Sequence, residues 1–397
     1  MRTRDEHPYD RIDRSCLERP SSRKWSLHPG TIGAWVAEMD FGTAPAVREA
    51  LERAVRDDVL GYLSPATAAD LAEATATFQR REHGWAVDPE RVHAVSDVMA
   101  ALGVAVALYS PAGSPVIVPT PAYMPFHTAL AALGREVIEV PGVEVGGRWC
   151  HDVEGIDRAF TAGARTLVLC NPHNPTGAVV PRAELEAIAR VVDAHGGRVF
   201  ADEIHAPLRF DGHEHVPYAS VSDAAAAHTV TGTSASKGWN IAGLKAAQLI
   251  TSNDADEAVY RRLGFAVPHG ASTLGAIAST AAYRDGGPWL AETLGYLQRN
   301  RDLLGRLLDE RLPLVRWTPP EATYFAWLDL ARLELPPRSR AELVRERAAV
   351  TLTDGALCGR GFDDHVRLVF ATPAAVLEEL VDRLADALAP ITTGVAR

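Results

Sequence analysis

Five short apolar runs, spaced by helix-forming sequence, set the tightest limit on how this chain folds. They are Val116-Ile117-Val118, Arg165-Thr166-Leu167-Val168-Leu169, Arg198-Val199-Phe200-Ala201, His228-Thr229-Val230-Thr231 and Ala247-Gln248-Leu249-Ile250. Runs of this kind suit strands covered on both faces, as in a largely parallel sheet. Between two of them, residues 181–195 predict a helix. Proline stands at its first turn, Gly196-Gly197 ends it, and Leu185, Ile188, Ala189 and Val192 share one face. A strand–helix–strand repeat implies an α/β layer that binds ligands beyond the carboxyl ends of its strands.

The last third has a different character. Residues 289–311 read as one long helix, Tyr324-Phe325-Ala326-Trp327-Leu328 and Val366-Arg367-Leu368-Val369-Phe370 as strands, and 373–388 as an amphipathic helix with Val376, Leu380, Leu384 and Leu388 on one side. We expect a large domain over 46–287 and a smaller α+β domain from 288–397 joined by 1–45. A chain of 397 residues is long enough for two cores. A net charge of −11 argues against a nucleic-acid partner. No apolar run reaches membrane-span length, and Met1-Arg2-Thr3-Arg4-Asp5-Glu6 does not read as a secretory signal. Cys16, Cys150, Cys170 and Cys358 are widely spaced. They read as reduced, buried thiols of a cytoplasmic protein. His213-Glu214-His215 reads as a polar loop, since no third metal ligand is signalled.

Of the 40 basic residues only Lys24, Lys237 and Lys245 are lysine. Arginine replaces lysine wherever charge is enough, but its guanidinium never supplies a neutral nucleophilic amine. Lys237 lies among Ser234, Ala235, Ser236 and Gly238, a setting suited to a Schiff base with a phosphorylated aldehyde. Ser234 and Ser236 are candidate phosphate donors and Lys245 a counter-charge. Three other features fall at predicted strand ends or within a strand. Asn171-Pro172-His173-Asn174-Pro175-Thr176-Gly177 fixes Asn174 as a rigid donor. Asp202 follows an apolar run, and a buried carboxylate there needs a cation such as a pyridinium nitrogen; an isolated Asp at a strand end is usually a solvated cap or an ion-pair partner. Arg367, within an apolar strand, needs an anion, which a substrate carboxylate or a structural acid supplies.

Together, Asn174-Pro175-Thr176-Gly177, Asp202, Lys237 with Ser234 and Lys245, and Arg367 resemble the aspartate-aminotransferase fold (fold type I) of pyridoxal-phosphate enzymes. The resemblance implies a large domain with a mostly parallel, mixed sheet flanked by helices, plus the smaller domain. By it, Lys237 carries pyridoxal 5'-phosphate, Asp202 pairs with the ring nitrogen, and Asn174 bonds the phenolate oxygen. His205, three residues after Asp202, reads either as a neighbour of that oxygen or as a packing histidine at the strand edge. Tyr123 stacks on the ring, and Tyr62 reaches the phosphate across a homodimer interface. Backbone amides of Val98 and Met99 hold the phosphate at a helix start. Arg367 binds the substrate carboxylate, with Asp40, Tyr324 and Trp239 on the substrate side.

Further strings narrow the branch. Lys24-Trp25, Met39-Asp40-Phe41, Asp202-Glu203-Ile204-His205, His215-Val216-Pro217, Gly287-Pro288-Trp289-Leu290 and Thr323-Tyr324-Phe325-Ala326-Trp327-Leu328-Asp329 resemble the MalY/PatB-type cystathionine β-lyases. That branch implies α,β-elimination from a cysteine S-conjugate, giving a thiol, pyruvate and ammonia. The fold equally serves aminotransferases and decarboxylating or oxidative deaminases, and a regulatory binding protein retaining the cofactor site is the reading of another class. The chain departs from the family at Ser96-Asp97-Val98-Met99, where Asp97 would have to point away from a phosphate, and at Trp239, which follows the lysine in place of a smaller or phenylalanine side chain.

Overall fold

The structure is a computed structural model describing residues 7–210, 212–262 and 270–388. The Met1 to Glu6 stretch considered above lies outside the described residues. The central sheet has seven strands: β1 (Val92–Val95), β2 (Val116–Thr120), β3 (Val137–Pro141), β4 (Thr166–Cys170), β5 (Arg198–Asp202), β6 (Thr229–Thr233) and β7 (Ala247–Thr251). Their spatial order is β1-β7-β6-β5-β4-β2-β3. The pairs from β3 across to β6 are parallel, whereas β7 runs antiparallel to both β6 and β1. All five apolar runs are strands. The two strands that they do not announce, β1 and β3, are the sheet's edges, and they carry His93 and Glu139 within short, partly exposed segments.

Alternation along the inner strands sorts side chains between two cores. Val168 and Phe200 pack with Val98, Ala101 and Leu102 of the helix Val98–Tyr109. Leu167, Leu169, Val199 and Ala201 pack on the opposite face with Leu185, Ile188 and Val192. The latter three belong to the helix Arg182–Ala194, which begins after Pro181 and is followed by Gly196 at φ +56°.

A third core takes its sheet from β8 (Arg316–Trp317), β9 (Phe325–Asp329), β10 (Thr353–Asp354) and β11 (His365–Val369), ordered β8-β9-β11-β10. Helices Gly287–Arg311 and Ala374–Leu388 cover it, burying Leu297, Leu304, Leu380 and Leu384. The N-terminal segment enters the same core through Trp25, Ile32 and Phe41, and Ile32–Gly33 pairs in parallel with Val350–Thr351. Cys170 and Cys358 are buried; Cys150 is half-buried and Cys16 exposed, so burial of all four cysteines does not hold. Cys16 sits in a four-residue helix, Arg14–Leu17, with no buried residue. Among the described residues no helix is long and apolar enough to cross a membrane.

The turn after Asn174 ties the two sheets together. Gly177 has φ +72°, and a Cβ there would lie 2.4 Å from Pro320 Cβ and 2.7 Å from Ala322 O. Its own carbonyl accepts hydrogen bonds from the N–H groups of Glu321 and Ala322. Only glycine combines that backbone conformation with so close an approach. Gly177→Ala is therefore expected to lower stability by about 1–3 kcal/mol from backbone strain alone, with the clash adding to it. Denaturant unfolding of the two proteins measures the difference.

Candidate active site

The carboxyl ends of β4, β5 and β6, the end of β1 and the start of β7 open on one cavity of about 240 Å³. Because β7 returns antiparallel through the loop 234–246 rather than by a helical crossover, that loop stays over the cavity and carries Lys237 into it. The sequence-predicted residues Lys237, Asp202, Asn174, Tyr123, Ser234, Ser236, Lys245, Val98, Met99 and His205 all line it. Ala37 and Cys170 line it as well. No sequence signal marks Ala37, because what it contributes is a backbone carbonyl.

Lys237 Nζ donates to Ala37 O at 3.0 Å. Burial, then the positive charge of Arg367, pushes its amine down to about 8. Asp202, at the end of β5, is driven the other way. Burial pushes its carboxyl up to about 7 against a hydrogen bond from the Ile204 N–H at 3.2 Å. No ion pair reaches Asp202 among the described residues, so a cation delivered by a ligand would restore its charge. His205 is buried, and burial holds its imidazole well below the ordinary histidine range. Its Nδ1 has no hydrogen-bond partner among the described residues, as expected of a group awaiting a polar ligand.

Arg367 does not itself line the cavity; it stands behind Asn174. Its Nη1 donates to Asn174 Oδ1 at 2.8 Å and its Nη2 to Trp35 O at 2.8 Å and Thr353 Oγ1 at 3.2 Å. Its guanidinium lies 4.5 Å from the centre of the Phe325 ring, and Nε has no partner among the described residues. Asn174 thus spends its oxygen on Arg367 and keeps its amide N–H groups for a ligand. Tyr123 is held above the ordinary phenol range by burial.

One part of the cavity wall is a helix start. Val98 and Met99 open the twelve-residue helix Val98–Tyr109, whose first N–H groups and dipole favour negative charge. Asp97 does not point away from it. Its Oδ1 accepts from the Ala100 N–H at 2.8 Å, capping the helix, and its Oδ2 takes Lys245 Nζ at 2.8 Å. Burial works to raise this carboxyl, but the bonds from Lys245 and Ala100 outweigh it and hold it below the usual range. Ser234 is a brace rather than a free donor: its hydroxyl donates to Ala246 O at 2.8 Å and accepts from the Ser236 N–H.

Several expectations need correction. Trp239 is not on the substrate side. It is fully buried, its Nε1 donates to Gly286 O at 2.9 Å, and its ring packs edge-on against Phe78 and Tyr283. A large ring after the lysine fills core volume between elements, which a reading by position alone does not reveal. Asp40 is also withdrawn from any ligand, because its two carboxylate oxygens take Lys24 Nζ and Trp25 Nε1. Tyr324 lies beside the cavity without lining it, and its hydroxyl donates to Ala37 O at 3.1 Å. Tyr62 is 97% exposed and stands apart from this chain's own cavity. In the loop read as polar, His215 is buried, with Nε2 3.2 Å from Glu203 Oε2.

The donor set fits a phosphorylated, ring-nitrogen cofactor: an amine at one end, an isolated buried carboxylate at the other, an aromatic face, and a helix start with a lysine. The model of the aminotransferase class I and II family matches residues 36–384. This chain belongs to that family. Cystathionine β-lyase of Corynebacterium glutamicum is 38% identical over 373 residues, 94% of this chain and 98% of its own. Cystathionine β-lyase PatB of Bacillus subtilis is 33% identical, over 89% of this chain and 92% of its own. A crystal structure from Corynebacterium diphtheriae, assigned as a PLP-dependent β-cystathionase, superposes with TM-score 0.89 at 40% identity, over 95% of this chain and 98% of that one. The MalY/PatB-type branch read from the Lys24-Trp25 and related strings is the one to which these relatives belong.

The Asp97–Lys245 pair has a consequence for anion binding. The carboxylate occupies the lysine and adds a negative charge beside the helix start. Asp97→Asn keeps a capping oxygen and removes that charge. Pyridoxal phosphate titrated into cofactor-free Asp97→Asn protein is expected to bind roughly threefold to tenfold more tightly, a gain of about 1 kcal/mol of the kind a helix-terminus charge brings. Absorbance at the cofactor band gives the affinity.

Proposed function

We propose that this protein is a pyridoxal-phosphate-dependent carbon–sulfur β-lyase that cleaves cystathionine or another cysteine S-conjugate to a thiol, pyruvate and ammonia. The observation that carries the reading is the buried Lys237 amine, pushed down to about 8, facing the same cavity as the isolated buried carboxylate of Asp202. When bound, the cofactor supplies an electron sink for the charge left at the substrate Cα. Lys237 would hold the cofactor, and its amine, when free, would take the substrate Cα proton. Asp202 holds a proton on the ring nitrogen. Asn174 and His205 offer donors to the ring oxygen, and Tyr123 offers the ring a flat face. Val98, Met99, Ser236 and Lys245 hold the phosphate.

Arg367 binds the α-carboxylate, its planar fork fixed beforehand by Asn174 and Trp35. The electron pair left at Cα would leave through the Cβ–S bond as thiolate, and the enamine, freed when Lys237 takes back its place, would hydrolyse in water to pyruvate and ammonia. The same reading makes the protein a cytoplasmic homodimer, in which a second copy covers Tyr62 and brings it to the neighbouring phosphate. It also divides the chain into 46–287 and the remainder.

Loaded protein incubated with cystathionine and no keto acid is expected to release pyruvate, ammonia and thiol. Turnover that requires a keto acid would place it with the aminotransferases instead, and carbon dioxide release with the decarboxylating deaminases. Lys237→Ala should abolish the yellow cofactor band and lower pyruvate release at least about 10²–10⁴-fold, the usual worth of a positioned acid–base group.

Capture of the cofactor should itself depend on pH. Only the neutral amine attacks an aldehyde, and the neutral fraction of Lys237 grows as pH rises through about 8. Stopped-flow reconstitution of the cofactor-free protein is expected to accelerate from pH 6 towards a plateau above that value, roughly tenfold per unit on the acid side. A rate flat across this range would exclude a free amine of that basicity.

A further inference from the structure

Two of the three lysines are accounted for by the cavity; Lys24 is not. It lies in the four-residue helix Arg23–Ser26, far along the chain from every cavity residue except Ala37. Yet its side chain is 1% exposed, and Nζ makes a 2.7 Å ion pair with Asp40 Oδ2. The same nitrogen donates to Glu38 O and Ala371 O, each at 3.3 Å. Asp40 Oδ1 takes Trp25 Nε1 at 2.9 Å, and the Asp40 N–H donates to Ala371 O at 3.1 Å. All of these bonds converge on one end of the segment 35–40.

Further bonds of that segment reach two of the groups the proposed chemistry uses. Ala37 O receives both Lys237 Nζ and Tyr324 OH. Trp35 O receives Arg367 Nη2 and Thr353 Oγ1. Met39 exchanges two hydrogen bonds with the side chain of Asn240, three residues after Lys237. The segment is therefore a strap between β11, which carries Arg367, and the loop that carries Lys237. Among the described residues its peptide groups have no regular strand partner to set their position.

We infer that Lys24 is a positioning residue: locked onto Asp40, it holds the strap 35–40 so that two of its carbonyls fix the Lys237 amine and the Arg367 guanidinium. The chemistry explains why lysine persists here in an arginine-rich chain. Three acceptors, Asp40 Oδ2, Glu38 O and Ala371 O, surround one compact ammonium with three protons to give. A planar guanidinium presents its donors in a fork and needs more room. The backbone of Lys24 has none to yield, since a Cβ on Gly33 would lie 2.1 Å from Lys24 O.

A pair that only stabilised the fold would leave the reactive groups unmoved once the fold was secured. The test variant is therefore Lys24→Met/Asp40→Leu, which removes both charges together and leaves no buried ion unpaired. Its thermal unfolding shows that it folds. Two readings follow. In the cofactor-free protein, acetic anhydride labelling read by peptide mass spectrometry compares Lys237 with Lys245, which serves as an internal standard. Loss of the fixed Ala37 carbonyl should raise the Lys237-to-Lys245 labelling ratio several-fold at pH 7. In the loaded protein, loosening of Arg367 should raise KM for the S-conjugate tenfold or more, with kcat changed less.

The KM arm rests on the lyase reading of Arg367, and the labelling arm does not. A wild-type protein that releases no pyruvate would overturn that reading while the labelling ratio still decides the strap. A folded double variant with the labelling ratio of the wild type, or with its KM where the wild type is active, overturns the inference. If the double variant does not fold, Asp40→Asn, which keeps shape and loses only charge, must change the labelling ratio in the same direction or the inference falls.

Discussion

Desolvation at the carboxyl ends of the inner strands of the central sheet is the constraint on which the rest of this structure depends. Strands covered on both faces end together, and whatever ionisable group stands at their carboxyl ends is taken out of water with them. The effect has opposite signs for acid and base. Asp202 is pushed up to about 7 and Lys237 down to about 8, so each approaches neutrality with no ion pair among the described residues. That state is costly for folding and useful for chemistry. A neutral amine is a nucleophile and a base, and a carboxylate lacking its cation binds one offered by a ligand. The sheet creates the site by burying it, and the antiparallel return of β7 keeps the Lys237 loop above the buried strand ends.

Much of this was legible in the residues because burial leaves a compositional trace. The five inner strands are short buried runs, mostly apolar or threonine, and the helix Arg182–Ala194 shows its face through Leu185, Ile188, Ala189 and Val192. Lys237, Asp202 and Asn174 sit where those runs end, so position along the chain was enough to bring them to one cavity. The edge strands β1 and β3 left no such trace, since exposure of one side admits polar residues into short segments.

The failures share a physical cause: a side chain's direction is set by packing that sequence position does not encode. Trp239 is two residues from Lys237, yet its ring turns away into the space between Phe78 and Tyr283. Asp40 belongs to a string that marks the branch, but the mark is structural, a partner for Lys24 rather than for a ligand. Asp97 was expected to turn outward to spare a phosphate. It turns instead to the Ala100 N–H, because an uncapped helix start leaves amide donors unsatisfied. His215 shows the same limit from the other side, a histidine in a polar-looking loop that is buried against Glu203.

The scarcity of lysine therefore carries different information at each of its three positions. At Lys237 the requirement is chemical, a proton that leaves near neutral pH, which guanidinium does not provide. At Lys24 it is geometric, three acceptors around one small cation. At Lys245 neither holds: its side chain is 61% exposed and bonded to a single carboxylate oxygen, a contact that arginine makes as well. In the proposed reading, a phosphate arriving at the start of the helix Val98–Tyr109 would share Lys245 with Asp97, and two anions would compete for one flexible cation. Lysine suits that competition better than arginine does, because its ammonium is a point charge without the paired fork that would fix it on either partner.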